Sequence, residues 1–259
     1  MGRVIVITSG KGGVGKTTST TNIGMALAQL GKKVVLVDGD YGLRNLDLLL
    51  GLENRVVYTS LDVIQKECKL EQAIVKDQRQ PNLGLLAAPQ SRDKTVIKPA
   101  QMKELVEELN QTWDYVLIDC PAGIENGFQN SIAGAQEAVV VTTPEVAPIR
   151  DADRVIGLLE VAKINSIRLL VNRFRPQLMT IDDIKEILAI DLLGIVPEDK
   201  QASVSANRGE PIVLSHSLAA LAYQNIAQRL EGKPIDFLDL TQMNSIWSRL
   251  WRVMTRKII

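Results

Sequence analysis

Gly10-Lys11-Gly12-Gly13-Val14-Gly15-Lys16-Thr17-Thr18 is the stretch from which the rest of this chain is read. Gly10, Gly15, Lys16 and Thr17 fill the pattern of a phosphate-binding loop: two glycines with four residues between them, then Lys and a hydroxyl residue. The preceding run, Arg3-Val4-Ile5-Val6-Ile7-Thr8, is short, apolar and β-branched, and 17–30 has helical spacing, so the loop joins a strand to a helix. A helix N-terminus entered through glycines presents several backbone N–H groups to an anion. Gly12, Gly13 and Gly15 let the backbone close around phosphate oxygens where side chains would stand in the way. Lys16 is placed to bridge the β- and γ-phosphates of a nucleotide, and the Thr17 hydroxyl to ligate Mg²⁺. Lys11 is one lysine more than such a loop needs. It cannot easily share the task of Lys16, so it implies a second job for a second charge.

Outward from the loop, short apolar runs alternate with helical patterns. Strands are expected at 3–8, 33–38, 84–88, 115–119, 138–142, 167–171 and 192–196. Helices are expected at 17–30, 60–65, 100–110, 149–162, 181–188 and 218–230. Uninterrupted runs such as Val34-Val35-Leu36-Val37 suit strands covered on both faces. The alternation predicts an α/β fold, a doubly wound, mostly parallel sheet flanked by helices. There is no internal repeat or low-complexity tract. The organisation expected is one nucleotide-binding domain over 1–230, a linker over 231–244 and a terminal segment over 245–259.

The 259 residues suffice for one large α/β domain. Thirty basic residues balance thirty acidic ones, which argues against a strongly basic nucleic-acid binder. Cys68 and Cys120 form no metal spacing, which favours a reducing compartment. Cys120, behind an apolar strand, reads as a small core residue. The strand at the N-terminus leaves no room for a targeting segment, and no apolar run is long enough to span a bilayer, so a cytoplasmic location is expected. His216, the only histidine, has no catalytic or metal-binding company in the sequence.

Two acidic stretches stand where they bear on the loop. Tyr115-Val116-Leu117-Ile118-Asp119 is an apolar run ending in a carboxylate, at the rim where ligands meet parallel sheets. Asp119 can hold Mg²⁺ through water. Asp38-Gly39-Asp40 ends the second strand, where its carboxylates can reach the metal or an attacking water, although Asp and Gly are also ordinary turn residues.

The terminal segment has its own pattern. At helical spacing Ile246, Trp247, Leu250, Trp251, Met254 and Ile258 fall on one side, and Arg249, Arg252 and Arg256 on the other. Val253 borders the apolar side, and Lys257 lies near it with a stem long enough to snorkel. A helix of this length, about 22 Å, is too short to cross a bilayer but suits the interface of an anionic membrane. Docking on the protein's own core is the alternative.

Lys11-Gly12-Gly13-Val14-Gly15-Lys16-Thr17-Thr18 resembles the deviant phosphate loop of the MinD/ParA ATPases. Asp38-Gly39-Asp40-Tyr41-Gly42-Leu43-Arg44-Asn45-Leu46-Asp47 resembles their first switch, in the form typical of the MinD branch. Asp119-Cys120-Pro121-Ala122-Gly123-Ile124-Glu125 resembles the second switch, and Pro144-Glu145-Val146, Asp151-Ala152-Asp153-Arg154 and Pro197-Glu198-Asp199 fit as well.

The resemblance implies ATP and Mg²⁺ as ligands and hydrolysis in a dimer. Lys16 and Thr17 would bind phosphate and metal, and Lys11 would reach across a homodimer to the partner's phosphates. Asp40 would position or activate the attacking water. Asp38 and Asp119 would serve the metal, and Pro121, Ala122 and Gly123 would sense the γ-phosphate. Asn172 and Arg173 would meet the adenine, with Pro197, Glu198 and Asp199 lining the base. The terminal helix would bind membrane, weakly alone and more tightly by roughly 10²–10⁴ when paired in a dimer. A MinC-like division inhibitor and a MinE-like activator would be partners, and the protein would cycle between cytoplasm and the inner membrane face, or work in a plastid stroma if encoded there. A ParA-like partition ATPase acting on DNA is the alternative, disfavoured by the neutral charge and the tryptophan-bearing tail. An iron–sulfur carrier on the same fold would need cysteine ligands, for which Cys68 and Cys120 are ill placed.

Overall fold

The computed structural model describes residues 2–90, 97–124 and 126–240. Eight strands form one sheet: β1 (Arg3–Thr8), β2 (Val34–Asp38), β3 (Ile74–Lys76), β4 (Leu83–Leu86), β5 (Tyr115–Asp119), β6 (Glu137–Thr142), β7 (Ser166–Phe174) and β8 (Asp191–Pro197). Their spatial order is β3-β4-β2-β5-β1-β6-β7-β8. Every pairing is parallel except β3 with β4. Ten α-helices are present among the described residues: α1 (Lys16–Gln29), α2 (Leu46–Leu50), α3 (Ser60–Ile64), α4 (Leu70–Ala73), α5 (Pro99–Leu109), α6 (Asn126–Ile132), α7 (Val146–Val161), α8 (Ile181–Leu188), α9 (Lys200–Asn207) and α10 (Leu218–Leu230).

The sheet divides the core in two. On one face Val4, Val6, Val35, Val37, Val116 and Ile118 pack under α5, α6, α7 and α8. On the other, Ile5, Ile7, Val34, Leu36, Tyr115 and Leu117 pack under α1 and α10. Alternate residues of one strand feed both faces, which is why the central strands are apolar without interruption. The α/β, doubly wound fold expected from the sequence is therefore the one observed.

Strand and helix ends differ from expectation by a few residues, and five elements are additional. β3 is an antiparallel edge of three residues, too short for any periodicity to register. α2, α4 and α6 are each under two turns or close to it. α9 buries none of its residues, so it has no apolar stripe to betray it.

One feature of the topology positions the site. β1 lies between β5 and β6, so the sheet grows in opposite directions from it. The loops after β1 and β5 thus open on one crevice at the carboxyl ends of the strands, where such sheets bind ligands. At the far end of the strands, Arg3 and Arg168 clamp Glu137, each at 2.7 Å.

Residues 231–240 do not leave the body freely. Tyr115 donates to Glu231 at 2.6 Å, and Lys32 pairs with the same carboxylate at 2.5 Å. Leu238 packs against both halves of the core, and Leu240 is 7% exposed. The amphipathic pattern of 245–259, with Ile246, Trp247, Leu250, Trp251, Met254 and Ile258, lies outside the described residues, as does Glu125 of the second switch.

Candidate functional site

The loop predicted from Gly10 to Thr17 runs from the end of β1 into α1. Gly15 has φ +97°, a left-handed conformation that non-glycine residues adopt only with strain. It turns the chain so that α1 starts at Lys16 with its free N–H groups toward the loop. Gly10 lies so close to α7 that an added Cβ would stand 2.1 Å from the Asp151 carbonyl oxygen. The glycines thus serve two ends: one sets the loop's curvature, the other admits the neighbouring helix.

The two lysines occupy different surroundings. Lys16 is buried, at 7% exposure, and its Nζ donates to Ser9 Oγ at 2.9 Å. Ser9 Oγ in turn donates to the Lys11 carbonyl at 2.7 Å, so one hydroxyl links the two residues. Burial lowers the Lys16 pKa, while the nearby Asp119 carboxylate acts in the opposite sense. Lys11 is exposed, on the lip of the loop.

The acids gather beside Lys16. Asp38 and Asp119 end adjacent strands β2 and β5 in direct register. Asp119 is 2% exposed and accepts from Thr20 Oγ1 at 3.0 Å and from the Thr17 side chain. Burial pushes its pKa up to about 6 against the hydrogen bonds from Thr17 and Thr20 and the charge of Lys16. Asp38 is pushed up to about 7, first by burial and then by the Asp119 charge. Its oxygens accept from the backbone N–H of Asp40 at 2.9 Å, Asn45 at 3.2 Å and Leu46 at 3.3 Å. Asp38 therefore organises the 40–46 turn and the start of α2. Two buried carboxylates beside a threonine hydroxyl are hard oxygen donors, and their mutual repulsion is relieved by a divalent cation. Among the described residues no three acidic, His or Cys side chains cluster as a closed metal cage. The donor set fits Mg²⁺, which keeps waters and phosphate oxygens in its shell.

Pro121 and Gly123 are partly covered and Ala122 is exposed, with the Ala122 Cβ within 3.7 Å of a Cβ added at Gly12. Residues 121–123, expected to be a switch, thus face the phosphate loop. Further out, a cleft of about 190 Å³ is lined by Lys11, Gly13, Val14, Arg173, Arg175 and Glu198, among others. Arg175 and Glu198 form an ion pair there. Of the residues nominated for the base, Arg173 and Glu198 line this cleft. Asn172 is buried, and its Nδ2 donates to the Val14 carbonyl at 2.8 Å, bracing the loop. Glu198 N–H donates to the Phe174 carbonyl at 3.2 Å, which sets the turn after Pro197, and Asp199 caps α9 by accepting from Gln201 N–H at 2.8 Å. A larger cleft, about 1240 Å³, opens at the β3 edge beside α3, α4 and α5, away from this chemistry; cavity size does not mark the site.

Ser9 and Thr20 escaped the motif reading. Ser9 directly precedes Gly10, and Thr20 lies one helical turn beyond Lys16, so their places were visible but their partners were not.

A family model for the CobQ/CobB/MinD/ParA nucleotide-binding domain matches residues 5–212. A curated relative from Synechocystis, septum site-determining protein MinD, is 56% identical across 97% of this chain and 98% of its own length. The chain belongs to the MinD family. Among solved structures, the MinD of the Aquifex aeolicus MinC:MinD cell division complex superposes with a TM-score of 0.85 at 48% identity, covering 90% of this chain and 98% of that one. A Pyrococcus horikoshii MinD complexed with Mg-ADP superposes at 0.82 with 32% identity, covering 89% and 96%. Membership makes this a P-loop, nucleotide-binding ATPase-family protein of the cell-division type.

Proposed function

We propose that this chain is a MinD-type ATPase that helps position the division site, dimerises on ATP, and thereby switches its own membrane binding. The observation that carries the reading is the contrast between a buried Lys16 and an exposed Lys11. Lys16 is buried at the root of α1 beside Asp119, where it would serve phosphate bound within its own subunit. Lys11, exposed on the lip, is free to face phosphate held by a second subunit. A charge supplied in trans stabilises the developing negative charge of phosphoryl transfer, as arginine fingers do.

The roles assigned to individual residues are those that the family resemblance implies. Backbone N–H groups of Gly10–Thr17 and Thr18 cradle the phosphates, and Lys16 draws β- and γ-oxygens together. Thr17, Asp119 and Asp38 would hold Mg²⁺, directly or through water, and the bound ion would supply charge neutralisation for the phosphates. Asp40, next to Asp38 in the switch, orients the attacking water. Pro121, Ala122 and Gly123 register the γ-phosphate. Asn172 holds the loop and, with Arg173 and the backbone of Pro197–Asp199, borders the base. Two copies of the 245–259 segment act together only in the dimer, so hydrolysis releases the protein from an anionic membrane. The MinC:MinD complex of the Aquifex relative supports a MinC-like inhibitor as partner, and family resemblance adds a MinE-like activator.

Two variants test this. Lys11→Ala is expected to retain nucleotide binding by the monomer and to lose ATP-dependent dimerisation and activated turnover; unchanged activated turnover refutes the trans role. Deletion of 245–259 is expected to abolish co-sedimentation with anionic vesicles while sparing ATP binding. Persistent sedimentation refutes the membrane reading. A DNA mobility shift that weakens with salt would instead favour the partition-type alternative.

A further inference from the structure

From its sequence the stretch after α10 reads as a linker, 231–244, that begins where Glu231-Gly232-Lys233-Pro234 closes the helix. Its contacts are those of a strap. Arg229, in the last turn of α10, spends its guanidinium on three carbonyls. Nε donates to Ile235 at 2.9 Å, Nη2 to Asp236 at 2.8 Å and Nη1 to Leu193 at 3.1 Å. The same guanidinium lies 4.1 Å from the centre of the Phe237 ring. Leu193 belongs to β8, so the strap is tied to the sheet edge itself. Lys233 N–H donates back to the Gln228 carbonyl at 3.0 Å, and Leu240 closes the strap in the core at 7% exposure.

We propose that Arg229 is a positioning residue that shortens the tether of the terminal membrane segment. The inference rests on the membrane reading of 245–259. With the strap seated, only residues 241–244 separate the body from the amphipathic pattern, a reach of at most about 14 Å. With the strap released, residues 232–244 become the tether and reach about 45 Å. In a dimer already held by one segment, and with the short tether already long enough for the second to reach the membrane, the local concentration of the second falls as about the −3/2 power of tether length. Lengthening from four to thirteen residues therefore weakens the second engagement about sixfold. The planar fork that meets three carbonyls is particular to arginine; an ammonium group cannot reproduce it.

The test uses the full chain, vesicles of anionic phospholipid, and either ADP or a non-hydrolysable ATP analogue. Hydrogen exchange of amides 232–240 reads the strap directly, and the analogue-to-ADP ratio of vesicle affinity reads avidity. In R229Q, exchange across 232–240 is expected to rise and the ratio to fall about sixfold, with vesicle affinity in ADP unchanged. R229K is expected to recover little of either. Insertion of about nine Gly/Ser residues after Leu240, which leaves Arg229 and its contacts in place, is expected to lower the ratio to the same extent. Exchange in R229Q as slow as in the parent refutes Arg229 as the clasp. Faster exchange with an unchanged ratio, or an unchanged ratio on insertion, refutes tether control. Failure of the parent to bind vesicles with either nucleotide refutes the membrane reading and the inference with it.

Discussion

Asn172 Nδ2 donates to the Val14 carbonyl oxygen at 2.8 Å, so the end of β7 holds the phosphate loop from the side. The donor is 6% exposed and the residues are far apart in the chain. Without this bond the Val14 carbonyl would be left short of a partner in a buried setting, at a cost of about 1–3 kcal/mol.

Asn172→Ala is accordingly expected to weaken nucleotide binding about tenfold, with a smaller fall in thermal stability. Titration with a fluorescent nucleotide measures it. Affinity equal to the parent's would mean that the loop keeps its shape unaided.

Gly15→Ala meets two obstacles at once. Its φ is +97°, and a Cβ there would lie 2.2 Å from Asn172 Nδ2. Relief requires either Asn172 to release Val14 or the loop to open. We expect a loss of about 1–3 kcal/mol in stability and nucleotide affinity too weak to measure by calorimetry. Full binding by this variant would contradict the described loop geometry.

Asp38 combines a structural duty with a charge. Asp38→Asn keeps one acceptor oxygen, enough for the N–H groups of Asn45 and Leu46 or for that of Asp40 but not for both sets, since Asp38 Oδ1 takes Asp40 and Oδ2 the other two, and it removes the charge proposed to face the metal. The expected result is a folded protein whose nucleotide affinity depends less on Mg²⁺ concentration. Asp38→Ala, which frees all three donors, is expected to destabilise by about 1–3 kcal/mol as well. Equal Mg²⁺ dependence in parent and Asn variant would remove Asp38 from the metal's surroundings.

Glu137 offers a pH test remote from the nucleotide. Burial raises its pKa, but hydrogen bonding and charge from Arg3 and charge from Arg168 outweigh it and leave the carboxyl below its ordinary value. A carboxyl lowered on folding contributes stability above its unfolded pKa, about 4.3, and loses that contribution as pH falls through the folded value. Glu137→Gln is therefore expected to cost about 1–3 kcal/mol at neutral pH, between the ranges for exposed and buried pairs. Denaturant melts at pH 7 and below pH 4 check this, because the two proteins should converge in acid. A gap that stays constant would assign the effect to packing.

How much could be read without coordinates depends on whether the cause was local. β1, β2 and β5 announce themselves because strands buried on both faces must be apolar throughout. The phosphate loop is equally legible, since its glycines, Lys16 and Thr17 act as neighbours in the chain. β3 and α9 are not, one for its length and the other because it buries nothing. Residues 231–240 have linker composition, and contacts made across the fold, from Tyr115 and Lys32 to Glu231, from the fork of Arg229 and through the burial of Leu240, make them part of the body.

The chain's order of residues by itself determined a doubly wound sheet, a phosphate loop with a surplus lysine and carboxylates at strand ends, because each depends on burial pattern or on backbone curvature over a few residues. Tertiary structure decided which groups meet. Ser9 bridges the two lysines, Thr20 joins Asp119, Asn172 reaches Val14, and Arg229 seizes the strap. Those hydrogen bonds depend on packing across elements distant in sequence, where spacing along the chain carries no information about distance in space.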